Sequence, residues 1–180
     1  MVKTGANQTL QCTSVMPESK DGGKTWEDPQ YSLKRQNNKG VWVYCAGVFD
    51  LLHSAHVKYL KFAKSLGDTL VVGLVEDDAV ARYKEHRPIM SYGERYEVLK
   101  AIRCVDYVVR QNDTDPTDTL TKLRDHHSWI FDIMVRGDDY DGVPPGSQFI
   151  ECHGGKVVRS QYDKSVSSTN IKKRILDLYG

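Results

Sequence analysis

The stretch VWVYCAGVFDLLHSAHVKYLKFAKSLG, residues 41–67, decides the fold. Its first eight residues are apolar, β-branched or aromatic, with a glycine near the end, which is the pattern of a buried strand. Ala55, Val57, Leu60, Ala63 and Leu66 then recur mostly at helical spacing, and Gly67 stops the run. TLVVGLV, residues 69–75, is a second buried strand. A strand, a helix and a strand in succession predict a parallel pair joined by a right-handed crossover.

The alternation continues towards the C-terminus. SYGERYEVLKAIR (91–103) reads as a helix with Ser91 as N-cap, VDYVVR (105–110) as a strand, and PTDTLTKLRDHH (116–127) as a helix opened by proline. IFDIMVRG (130–137) and KVVRSQY (156–162) read as strands around a helical GSQFIECHG (146–154). SSTNIKKRILDLY (167–179) reads as a last helix capped by Ser167 or Ser168. The strands are almost continuously apolar, as expected where helices cover both faces of a sheet. The fold class predicted is α/β: a single doubly wound, Rossmann-like domain over residues 39–180, with a five-stranded parallel sheet and helices on both faces. Ligands of such sheets bind at the carboxyl ends of the strands, where the strand order reverses. Residues 1–38 are polar and aperiodic and read as a flexible extension, with a short ordered segment around Trp26 to Leu33.

Bulk composition removes several function classes. A chain of 180 residues suits one core rather than two. A formal net charge of +1 points to neither nucleic acid nor an anionic membrane, so any basic site must be local. No apolar run approaches spanning length, and MVKTGANQTLQCTS lacks the apolar core of a secretory signal. Cys12, Cys45, Cys104 and Cys152 are far apart with no CxxC pair, so free buried thiols in a reducing cytoplasm are expected rather than a zinc site.

His53 and His56 lie one helical turn apart, directly after the first strand. One reading packs one ring in the core and leaves the other on the surface. A metal reading needs a third ligand, and no nearby residue has the spacing. A third reading uses the helix start, whose unpaired N–H groups and partial positive charge suit a phosphate; imidazoles there can stabilise charge growing on a phosphoryl group.

GVFDLLHSAH, residues 47–56, resembles the G-x-F-D-x-x-H-x-G-H signature of the cytidylyltransferase-like nucleotidyltransferases. The resemblance spans roughly Val41 to Ile175. EDDAVARYKEHRPIMSYGERYEVLKAIRCVDYVV looks like that family's second helix, mobile lysine-bearing loop and R-x-x-x-L-x-x-I-x-x-V-D segment. VRGDDYDG resembles its fourth-strand turn, and VSSTNIKKRI its terminal serine–threonine helix start. SYGERYEVLKAIRCVDYVV is close to the glycerol-phosphate and phosphoethanolamine cytidylyltransferases. VRGDDYDGVPPGSQFIECHGGKVV is close to the heptose-phosphate adenylyltransferase domain. Tyr162 stands where the cytidylyltransferases carry arginine, which tilts the reading to ATP with CTP left open.

The resemblance implies that a phosphate on a small acceptor attacks the α-phosphorus of a nucleoside triphosphate and displaces pyrophosphate. The acceptor would be a sugar phosphate such as heptose phosphate, or a glycerol or amino-alcohol phosphate. Such a reaction needs two polyanions held in line rather than a covalent intermediate. Mg2+ would ride on the nucleotide phosphates, with no metal site of protein ligands. His53 and His56 are then the catalytic imidazoles on the α- and β-phosphates, with Lys84 folding over the triphosphate and Arg95 meeting the acceptor or a phosphate. Ala46, Gly47, Val48 and Phe49 form the nucleotide-binding turn with Asp50, which orders that turn, accepts an N–H bond or steers the ion. Lys58 either contributes or is solvated. Gly137 lets ligand approach the backbone, Asp138 or Asp139 binds base or ribose edges or caps a turn, and Tyr162 joins the nucleotide pocket. Ser167, Ser168 and Thr169 bind the distal phosphates or simply cap the last helix. Arg87, Lys172, Lys173 and Arg174 read as solvated. A homodimer is expected from relatives, and a cytoplasmic setting from the cysteines.

Ala55 replaces the motif's glycine and Ser165 the glycine before the serine–threonine start. These departures motivate a second reading, a nucleotide-binding module with weakened turnover. A fragment of a class I aminoacyl-tRNA synthetase is disfavoured by size, charge and the lack of a KMSKS-like loop. A flavodoxin-like redox domain gives no reason for both histidines.

Overall fold

A computed structural model describes residues 40–84, 86–138, 142–161 and 165–180. Strands β1 (Trp42–Gly47), β2 (Thr69–Val75) and β3 (Tyr107–Gln111) run to one side of the sheet, and β4 (Ile133–Gly137) and β5 (Lys156–Ser160) to the other. The order is β3-β2-β1-β4-β5 and every pairing is parallel. Strand order therefore reverses at β1, and the crevice lies between the carboxyl ends of β1 and β4.

Alternate side chains of each strand point to opposite faces, and both faces are dry. On one, Val43, Cys45, Val72, Leu74 and Val135 pack against Leu60 and Ala63 of α1 (Ser54–Ser65) and Leu99 of α3 (Tyr92–Lys100). On the other, Tyr44, Val71, Val109 and Met134 pack against Leu120 and Leu123 of α4 (Thr117–His127) and Ile150 of α5 (Ser147–Cys152). Double burial is the physical reason for the unbroken apolar strands in the sequence. The helix α2 (Asp77–Lys84) follows β2, and α6 (Ser168–Tyr179) closes the chain.

Three aspartates trim the strands at the opposite edge. Asp68, Asp106 and Asp132 each accept, at 2.7 Å, the backbone N–H of a residue at the start of a neighbouring strand: Val41, Leu70 and Trp42. This is why β3 begins at Tyr107 and β4 at Ile133, later than the apolar runs suggest: the preceding carboxylates occupy ladder positions. Ser91 caps α3 in a full capping box with Glu94, and Ser167 caps α6 by accepting from Asn170 N. The expectation of buried thiols holds for Cys45, whose burial pushes the thiol pKa up; Cys104 is half-buried, and Cys152, in the last turn of α5, is exposed. Residues 1–38, together with Cys12, lie outside the described residues.

Gly73 of β2 faces the buried Tyr44–Gln111 hydrogen bond of 2.7 Å, and a Cβ there would overlap Tyr44 Oη and sit 2.6 Å from Gln111 Oε1. Gly73→Ala is expected to lower unfolding free energy by about 1–3 kcal/mol through overpacking and a broken buried hydrogen bond, read by denaturant titration.

Candidate active site

A cleft of about 1000 Å³ opens at the strand-order switch. Ala46, Gly47, Val48 and Phe49 at the end of β1 form one part of its wall, and Gly137 at the end of β4 another. The turn between β1 and α1 is held in an unusual backbone shape. Phe49 and Leu51 both adopt the left-handed region, at φ 54 and 49. Neither is glycine, so each costs roughly 1–2 kcal/mol that surrounding contacts must offset. Phe49 is nearly sealed, and its ring stands edge-on to His56 at 5.3 Å.

His53 is the N-cap residue of α1 and makes no side-chain cap hydrogen bond, and no acidic residue lies in the first turn. Its ring stacks on His56, with centroids 3.9 Å apart. His56 lines the cleft, and its Nδ1 is buried without a hydrogen-bond partner. Burial and the neighbouring His53 depress its pKa to about 4, against a weaker opposing pull from Asp50. The ring is therefore neutral at physiological pH and can donate one N–H to an arriving anion. The helix start and the His56 ring thus share one corner of the cleft wall, a place whose chemistry suits an anion.

Asp50 sits beneath this corner, 6% exposed. Its carboxylate accepts the N–H groups of Ile89 at 3.1 Å and Met90 at 3.0 Å, and Lys172 Nζ lies 3.1 Å away. Burial pushes the carboxyl pKa up, but these hydrogen bonds and the ammonium outweigh it and hold it below the ordinary value. The Ser168 hydroxyl donates to Asp50 O at 2.6 Å. Asp50 accepts N–H bonds, one of its three sequence readings, and so ties the β1–α1 turn to the α2–α3 connection. Lys172 is not a solvated residue but the partner of that carboxylate.

Arg95 also departs from expectation. It is 1% exposed and does not line the cleft. Its guanidinium donates to Met90 O at 3.1 Å, Val48 O at 2.6 Å and Val75 O at 3.0 Å, and pairs with Asp77. A buried guanidinium must satisfy several donors, and the carbonyls leaving β1 and β2 supply acceptors. Arg95 thus fastens the carboxyl edge of the sheet from below rather than meeting a ligand.

Lys84 is exposed at the end of α2, with its ammonium 5.5 Å from the ring centroid of Tyr83, a cleft residue. Its charge adds to the depression of the His56 pKa. Lys58 lines the cleft, whereas Asp138 is exposed and its N–H donates to Ser160 O. Thr169 is exposed in the first turn of α6. Asp139 and Tyr162 lie outside the described residues. Sequence reading missed Tyr59, Phe62, Tyr83, Arg136 and Arg159, all of which line the cleft. A signal existed for the arginines: VVR and MVR end apolar strands with a charge at the carboxyl edge. No Asp or Glu is among the described lining residues. Among the described residues no three His, Cys, Asp or Glu gather closely enough to hold a metal ion. No helix among them is long and apolar enough to cross a membrane.

The family model described as cytidylyltransferase-like matches residues 44–174. The chain belongs to the cytidylyltransferase-like family. Membership extends from β1 into α6, so it takes in the histidine corner, Asp50 and Lys172 together. The bifunctional protein HldE of Pelobacter propionicus is 41% identical over 140 residues, 76% of this chain and 27% of that protein. The HldE of Syntrophotalea carbinolica is 41% identical over 149 residues, 82% of this chain and 29% of that protein. This chain therefore spans less than a third of the length of these relatives. The crystal structure of the lipopolysaccharide core biosynthesis protein from Thermoplasma volcanium GSS1 superposes with a TM-score of 0.56 at 28% identity, covering 71% of this chain and 99% of that one. The cytidylyltransferase-like family is one of nucleotidyltransferases, and the sequence-level resemblance is thereby established.

Two measurements probe this geometry. Asp50→Ala should speed amide hydrogen exchange at Ile89 and Met90 selectively, because their acceptor is removed. An NMR titration of His56 should show a midpoint near 4, well below the ordinary 6.5. The unfolded chain then binds the extra proton between those values. His56 should therefore make stability fall as pH drops from about 6.5 to about 4, a slope that His56→Gln lacks.

Proposed function

We propose that the protein transfers a nucleotidyl group from a nucleoside triphosphate, ATP in preference to CTP, to the phosphate of a small phosphorylated acceptor. An oxygen of the acceptor phosphate attacks the α-phosphorus, a new phosphoanhydride bond forms, and the bond to the β-phosphate breaks. Pyrophosphate leaves with the displaced electron pair. The acceptor phosphate is already an anion at neutral pH, so no general base is assigned. The observation that carries this reading is the neutral His56 ring in the cleft wall, at a helix start without a side-chain cap.

His53 and His56 donate to the α- and β-phosphates as charge builds on the bridging oxygen. Lys84 closes over the triphosphate, and the first turn of α6, with Thr169 exposed, meets the distal phosphates. Asp138 and Asp139, with Tyr162, are assigned to base and ribose. The described cleft wall offers imidazole, ammonium and guanidinium rather than carboxylate, a donor set that suits phosphate oxygens. Mg2+ accordingly travels with the nucleotide, where it supplies charge neutralisation. A sugar phosphate of the heptose kind is the preferred acceptor. The likeness to HldE proteins and to a lipopolysaccharide core biosynthesis protein supports it. A cytoplasmic setting and a homodimer belong to the same proposal.

The Ala55 methyl in the cleft wall favours one competing reading, a binding module with weakened turnover. Pyrophosphate release with ATP and CTP across a panel of sugar, polyol and amino-alcohol phosphates separates the two. Tight nucleotide binding without release from any acceptor would support the module. If transfer occurs, His56→Ala should cut kcat by about a hundredfold or more while leaving the folded state intact by circular dichroism.

A further inference from the structure

β4 and β5 bring two arginines side by side to the cleft. Arg136 and Arg159 are register partners, so their side chains leave the sheet roughly 5 Å apart on the same face. That face is the one under α4 and α5, because Met134 and Val157, one register pair of the same facing earlier, pack in that core. Both arginines line the cleft. Arg159 is steadied by donating to Gly142 O. Arg136 is half-buried and makes no hydrogen bond or ion pair with any described residue.

Like charges directly opposite each other across a ladder repel. A half-buried guanidinium whose donors no described residue meets adds a desolvation cost. No carboxylate among the described lining residues offsets either. An anion shared between the two forks removes both costs at once. The fork geometry of guanidinium matches a pair of phosphate oxygens.

We propose that Arg136, backed by Arg159, seats the phosphate monoester of the acceptor. This rests on the nucleotidyl-transfer reading and adds to it the position of the second substrate. The histidine corner belongs to α1, which covers the opposite face of the sheet. The two phosphate sites therefore flank the carboxyl edge from either side. In-line displacement needs that arrangement: one phosphate held as electrophile, another held as nucleophile, and each with its own cations.

Arg136→Met keeps most of the apolar stem and removes the fork, and Arg136→Lys keeps the charge alone. With the acceptor that the turnover panel selects, Arg136→Met should raise KM for that acceptor about tenfold or more, as loss of a charge-assisted hydrogen bond predicts. KM for the nucleotide should stay within about twofold, and Arg136→Lys should recover part of the loss. In parallel, inorganic phosphate should raise the Tm of the unaltered protein, and Arg136→Met should lose most of that increment. A change confined to KM for the nucleotide, or equal phosphate stabilisation of variant and parent, overturns the proposal. Absence of pyrophosphate release with every acceptor would fail the nucleotidyl-transfer reading instead, because the inorganic phosphate arm reads the arginine pair without turnover.

Discussion

The Asp50 carboxylate is the tie on which the site depends. It is enclosed by protein and still ionised, because two backbone N–H groups and one ammonium surround it. Its partners come from the α2–α3 connection and from α6, and the Ser168 hydroxyl reaches the carbonyl of the same residue across 118 positions of chain. A buried carboxylate without partners costs several kcal/mol, so each segment that docks relieves a cost the others share. The same tie holds a turn in which Phe49 and Leu51 sit in left-handed backbone. Strain of this kind persists only where the surroundings over-determine it.

Arg95 performs the matching task with opposite charge. It gathers the carbonyls of Val48, Val75 and Met90 and so fixes the relative height of β1, β2 and the following connection. The charges of this protein divide by depth. Asp50 and Arg95, below the cleft, are spent on the chain itself. Lys58, Arg136 and Arg159 reach its wall, where the described residues offer no carboxylate. His56 lies between these layers and remains neutral because desolvation disfavours the imidazolium.

Most of the fold was legible because its determinants are local. Continuous apolar runs marked the five strands, Gly67 and Ser91 marked helix boundaries, and the strand–turn–helix around His53 located the crevice. The site was legible only where a motif is contiguous. Lys172 could not be told from Lys173 and Arg174, since three adjacent cations look alike until tertiary packing chooses which one meets Asp50. Arg95 sits in a helix whose sequence carries no clear amphipathic stripe, so its burial could not be read from spacing. Arg136 and Arg159 lie 23 positions apart by number and become neighbours only through the β4–β5 register.

The attachment of α6 ties remote parts of the chain together energetically. The helix is fastened at its head, through Ser168 and Lys172, to the residue that orders the histidine turn. Its tail leaves Leu176, Leu178 and Tyr179 in solvent. Prying the head from Asp50 would weaken the grip on any ligand that needs that turn ordered. By thermodynamic reciprocity, such a ligand would clamp the helix by the same factor. The last helix would thus act as a lever arm on any ligand equilibrium at the histidine turn, even though its apolar tail does not line the cleft.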